Sequence, residues 1–168
     1  MAPTQWATDF EEYTPNEAPP DWSFQFGGAS IFEVRDDATR GRHLRAQNIA
    51  AERTVYVWDK VGVATGRVQA FAILRRPIVD FAGGVAVAVG GSSGSETCYA
   101  VLSGQRVDGG TKIRSRIRRY ENGASAGDLV TFDSPHVGVS NYPHAVLIDY
   151  DPDTGIVRGK VWQPADPA

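Results

Sequence analysis

One cysteine in 168 residues, Cys98, excludes an intramolecular disulfide, so packing and sheet hydrogen bonds must hold the fold together. Cys98 stands in the strand-like run Glu96 to Leu102 with no activating neighbour in sequence and reads as a packed thiol. No apolar run approaches bilayer-spanning length, and Met1 to Asp9 has neither the basic region nor the apolar core of a secretory signal. The expectation is a chain made without an export signal and with no membrane partner. Histidine is scarce too. His43, His136 and His144 lie scattered and far from Cys98, without the paired spacing of a zinc site. No glycine-rich phosphate loop followed by Lys and Ser/Thr occurs, and no dinucleotide fingerprint opens a helix, so no cofactor and no metal are expected. Helical periodicity is confined to Arg45 to Glu52, where Ala46, Ile49 and Ala50 have helical spacing in a stretch that is short, uncapped and equally readable as a loop.

Lysine is rare as well. Of the 17 basic residues only Lys60, Lys112 and Lys160 are lysines; the rest are arginines, which suit planar, partly desolvated ion pairing or reflect an arginine-rich source proteome. The net charge is only −3, but the signs are segregated: Asp9, Glu11, Glu12, Glu17, Asp21 and Glu33 all precede the first basic residue, Arg35. Residues 11 to 21 add Pro15, Pro19 and Pro20, which disfavour helix. Residues 1–21 therefore read as an extended acidic arm that contributes little to a core, and 22–168 as one domain, large enough to be stable without disulfides.

Within that domain, short strands are expected at Trp22 to Phe26, Ile31 to Arg35, His43 to Ala46, Thr54 to Trp58, Arg67 to Leu74, Val85 to Val89, Thr97 to Leu102, Ile113 to Tyr120, Val146 to Tyr150 and Ile156 to Trp162. Glycine-rich turns lie between many of them, and long crossovers are missing. The clearest hairpin is Ala145 to Trp162: Pro152 fixes a turn dihedral, Asp151 and Asp153 accept from nearby amides, and Gly155 supplies a permissive dihedral. Val85, Val87 and Val89 oppose Ala86 and Ala88, an apolar pattern on both faces that predicts a covered central strand. Ten strands at this spacing predict an all-β, antiparallel, two-sheet sandwich with little helix.

Several constellations invite chemistry. Gly90-Gly-Ser-Ser-Gly94 matches the form of a nucleophile elbow, but a strand follows where the elbow needs a helix, so it reads as a hairpin loop. Asp149, Asp151 and Asp153 alternate like calcium ligands, yet Thr154 and Lys160 stand where the calcium loop needs glycine and a bidentate glutamate. Lys112-Ile-Arg-Ser-Arg-Ile-Arg-Arg-Tyr120, as a strand, puts Lys112, Arg114, Arg116 and Arg118 on one face. That cationic stripe is the leading candidate for docking on an acidic protein surface or an anionic glycan, the alternative being a solvated sheet face. Tyr142, His144 and Trp58 are candidates for stacking on sugars. Nucleic acid is not expected as a partner, because the net charge is negative and no aromatic residues interleave the arginines.

The stretches Thr8-Asp-Phe-Glu-Glu-Tyr13 with Pro19-Pro-Asp-Trp22, Cys98-Tyr-Ala-Val-Leu-Ser-Gly104 running to Ile113-Arg-Ser-Arg-Ile-Arg-Arg-Tyr-Glu-Asn-Gly123, and Gly159-Lys-Val-Trp162 together resemble concanavalin A-like (laminin-G-like) jelly-roll domains of bacteriophage virion proteins. The resemblance implies a jelly-roll sandwich on the virion surface, as head decoration, fibre or tail component. Such a protein would bind other virion proteins and form a homo-oligomer; the alternative is a lectin-like module that recognises a host surface polysaccharide, with a glycan-cleaving enzyme ranked last. The family's glycan-cleaving members carry an E-x-D-x-x-E strand motif, which this sequence lacks, so no enzyme is expected.

Overall fold

A computed structural model of the chain describes residues 5–27, 31–38, 41–47, 54–61, 66–75, 83–92, 95, 97–107, 112–134 and 143–164. Among these residues the regular structure is strand apart from one 3-10 turn at Asp59–Val61, and no helix is long and apolar enough to cross a membrane. The strands are β1 (Trp22–Gly27), β2 (Ile31–Asp37), β3 (Gly41–Gln47), β4 (Thr54–Trp58), β5 (Val68–Arg75), β6 (Gly83–Gly90), β7 (Thr97–Val107), β8 (Lys112–Glu121), β9 (Ala124–Ser134), β10 (Pro143–Asp151) and β11 (Ile156–Trp162). All pairings are antiparallel. The backbone divides into two compact units, residues 1–63 and 64–168.

The second unit holds the sandwich. Its turn chemistry acts as the residues dictate: Asp151 Oδ1 accepts from the amides of Asp153 at 3.0 Å and Thr154 at 3.4 Å, Gly155 takes φ 67°, and β10 closes on β11. β10 also pairs with β5, giving a three-stranded sheet β11-β10-β5, while successive hairpins build a four-stranded sheet β6-β7-β8-β9. Strand alternation sends Val146 and Ile148 of the first sheet against Val87, Val101 and Ile117 of the second, with Val68, Ala70, Leu74, Val157 and Val161 packed around them. Tyr99 of β7 meets Tyr150 of β10 with ring centroids 5.3 Å apart. Each aliphatic side chain fully removed from water here contributes about 1.5–3 kcal/mol, which is how this core holds without a disulfide. Gly159 of β11 sits where a side chain would strike the facing sheet: a Cβ there would lie 2.7 Å from Val101 Cγ2 and 3.1 Å from Ile117 Cδ1.

In the first unit β1 pairs with β4 and β2 with β3. Trp22 and Trp58 are register partners, and their rings stack at 5.7 Å with 9° between planes. The acidic lead-in contributes more to this unit than its composition suggests. Phe10 packs on Tyr13 and Trp22, Tyr13 and Pro19 are buried, and the Asn16 amide donates to the Val34 carbonyl at 2.7 Å while the Val34 amide donates to the Glu17 carbonyl at 2.8 Å. Asp21 gathers three donors: Lys60 Nζ at 2.6 Å, the Tyr13 hydroxyl at 3.0 Å and Trp58 Nε1 at 3.3 Å. Partial burial opposes ionisation of Asp21, but these bonds, led by Lys60, bring its pKa down to about 2.

Two expectations change. An eleventh strand, β9, appears where the sequence suggests none. β6, expected in the centre of a sheet, is an edge strand among the described residues, and its alternation breaks at Ala88 (φ 53°), where the pairing slips between Val87 and Gly90. Of the stretch Arg45 to Glu52, residues 45–47 belong to β3 and the remainder lies outside the described residues. Gly90 ends β6, Gly91 and Ser92 follow it before β7, and Ser93 and Gly94 lie outside the described residues, so the next regular element after Ser92 is a strand. Cys98 is buried.

Candidate interaction surfaces

The stripe on β8 forms as the alternation predicts. Ile113, Ser115 and Ile117 are buried against the facing sheet, and Arg114, Arg116 and Arg118 share the opposite face with exposed Lys112. Its charge, however, is met from the neighbouring strand. Register sets Asp133 of β9 opposite Arg114 and Asp128 opposite Arg118. Arg114 donates through Nε to Asp133 Oδ1 at 2.9 Å and through a terminal nitrogen to Oδ2 at 3.2 Å. Arg118 Nε donates to Asp128 Oδ1 at 2.6 Å, and Arg116 Nη1 lies 3.7 Å from Oδ2 of the same carboxylate. The hydrogen bond from Arg118 holds Asp128 below the usual carboxylate range, and that from Arg114 does the same for Asp133. Among the described residues Asp128 and Asp133 meet the stripe, so it is a ladder of internal ion pairs rather than an open cationic surface.

The stacking candidates fare differently. Tyr142 lies outside the described residues. His144 is 2% exposed on the inward face of β10, with Nδ1 3.4 Å from Ser103 Oγ; a ring between two sheets is closed to a sugar. Trp58 is stacked on Trp22. Among the described residues no group of three or more His, Cys, Asp or Glu is placed to hold a metal ion. Asp149, the first of the alternating aspartates, is buried and held by Arg67 through both Nε and a terminal nitrogen, with Arg158 Nη1 at 3.6 Å. The Arg67 bonds keep its carboxyl below the usual range.

A second surface, unforeseen in the sequence, is the outward face of β11-β10-β5. Register lines up three rows across it: Ile73, Ala145 and Trp162; Phe71, Leu147 and Lys160; Gln69, Asp149 and Arg158. Ala145, opposite both Ile73 and Trp162, is small, and Phe71 and Trp162 meet as a stacked pair at 5.7 Å, with Lys160 Nζ 5.0 Å from the centre of the indole ring. Phe71 remains 54% and Ile73 57% exposed. One end of this face is therefore apolar and aromatic, and the other carries Arg67 and Arg158, which share Asp149. A signal for it exists in the sequence: Val68, Ala70, Ala72 and Leu74 alternate with Phe71 and Ile73, so this strand is apolar on both faces although only one can be core.

Comparison of the chain with protein-family models, with curated proteins and with solved structures finds no match.

Proposed function

We propose that this chain is a non-enzymatic assembly protein on the surface of a phage or phage-like particle, a head decoration, fibre or tail component of concanavalin A-like jelly-roll design that binds other virion proteins and copies of itself. The observation that carries the reading is the outward face of β11-β10-β5, where Phe71 and Ile73 stay in water beside Trp162 and a rim of cations. Large apolar side chains gathered on one sheet face, flanked by arginine, match the composition of protein docking sites. A host polysaccharide is the less supported partner, because His144 is buried and the Trp162 ring is already engaged by Phe71 and Lys160. The test is mass spectrometry of purified particles together with co-sedimentation of the purified chain with particles lacking it. Presence in the particle and saturable rebinding support the proposal; absence from intact particles overturns it.

A further inference from the structure

The assembly reading leaves open what covers the apolar end of the three-stranded sheet, and the chain carries a segment with the complementary chemistry. Gln5 to Asp9 has no regular structure, its Trp6 is 44% exposed, and Asp9, Glu11 and Glu12 are all exposed. The segment is anchored behind itself, where Phe10 packs 5.9 Å from Tyr13 and 5.8 Å from Trp22, so its free part begins at a fixed point. It therefore offers an aromatic anchor followed by acids.

The sheet offers the same order in reverse charge. Phe71, Ile73 and Trp162 stand at one end, then Lys160, then Arg158 and Arg67, whose side chains are 57% and 56% exposed around a single carboxylate. From the row of Trp162 to the row of Arg158 is four residues of strand, about 13 Å at the usual rise. From Trp6 to Asp9 is three residues, about 10 Å when extended. An indole seated beside Phe71 and Ile73 thus brings Asp9 to Lys160 and Arg158.

We infer that the outward face of β11-β10-β5 is the seat for the acidic, tryptophan-bearing segment Gln5–Asp9 of a second copy of this chain. The inference rests on the assembly reading and deepens it by naming the partner. Because the segment and the seat are different surfaces, the contact is head-to-tail and propagates into a ring or a string of copies, unlike a two-fold dimer.

Three variants of the full chain test it by sedimentation velocity: Trp6→Ser on the segment, and Phe71→Ser and Lys160→Glu on the seat. The wild-type chain is expected to self-associate, less at high salt, and each variant to associate at least about tenfold more weakly. The decisive arm is mixing. Trp6→Ser retains a seat and Phe71→Ser retains a segment, so together they form a 1:1 dimer although neither does alone. Should Phe71→Ser fold poorly by circular dichroism, Lys160→Glu takes its place, and combining it with Asp9→Lys restores association. A monomeric wild type, variants that associate like wild type, or a mixture that stays monomeric overturns the seat. Retention of the Trp6→Ser chain on particles together with unchanged self-association overturns this inference and leaves the assembly reading standing, whereas absence of the wild-type chain from particles removes the assembly reading itself.

Discussion

Replacing Gly159 by alanine probes the packing between the two sheets of the sandwich. The added methyl would sit 2.7 Å from Val101 Cγ2, about 1 Å inside ordinary carbon–carbon contact, and 3.1 Å from both Ile117 Cγ1 and Cδ1. Val101 is fully buried and its β-branched side chain has little rotamer freedom, so either the sheets move apart or the valine leaves its preferred well. Overpacking of this kind costs about 1–3 kcal/mol, and losing a flexible glycine from a strand returns about 0.5–1 kcal/mol, leaving a net loss near 1–2 kcal/mol. Val101→Ala alone removes two buried carbon atoms and should cost about 2 kcal/mol. In the double variant the new methyl occupies space that the valine vacated, so the combined loss should fall short of the sum by about 1 kcal/mol or more. Urea denaturation followed by far-ultraviolet circular dichroism measures all four corners of the cycle. Additive losses within about 0.5 kcal/mol, or a stabilising Gly159→Ala, would refute the face-to-face packing of β11 on β7 and β8.

Other outcomes follow from the same contacts. Asp21 has its folded pKa lowered from 3.8 to about 2, so its contribution is fully present above pH 3.8 and is lost as pH falls toward 2; Asp21→Asn should lower stability at pH 7 and flatten the acid limb between those values, and an unchanged acid limb counts against the Lys60, Tyr13 and Trp58 cluster. Ser115 Oγ is buried without a hydrogen-bond partner among the described residues, so Ser115→Ala should be neutral or stabilising by about 1 kcal/mol in thermal melts, and a loss above about 1 kcal/mol contradicts the environment described. Arg114 and Asp133 form an exposed pair whose coupling in a double-mutant cycle should be small and shrink with salt; a coupling unchanged between low and high salt would mean the ladder is far better shielded from water than its exposure indicates. Cys98 should react slowly with a thiol reagent in the native protein and completely in denaturant, and immediate native reaction would place it at the surface.

What could be read from the sequence was whatever depends on neighbours along the chain. The Asp151 to Gly155 turn is written in residues that bond their own backbone, and the β8 alternation is a property of one strand. β9 escaped because Ala124-Ser-Ala-Gly-Asp128 is small and polar, Gly127 takes φ 113°, and the pairing with β8 slips twice there, all marks of an edge strand rather than of a covered one. With β9 unread, the carboxylates that answer Arg114 and Arg118 had no place opposite them. The pairing of Asp149 with Arg67 joins residues 82 positions apart through β10-β5 register, which no local pattern encodes. Likewise, that β6 is an edge is a fact of sheet order, and its valine-rich run does not distinguish an edge from a centre.

The pairing of β5 with β10 has a bearing on how the protein is made. The four strands β6 to β9 fold back on one another in turn, so each can close its hairpin as it leaves the ribosome. β5 precedes them all yet waits for residues 143–151, and its apolar side chains have no sheet to join until nearly the whole second unit has been synthesised. A nascent chain halted before β10 would keep that strand bare, the state in which a trigger-factor-like holdase or aggregation competes with folding.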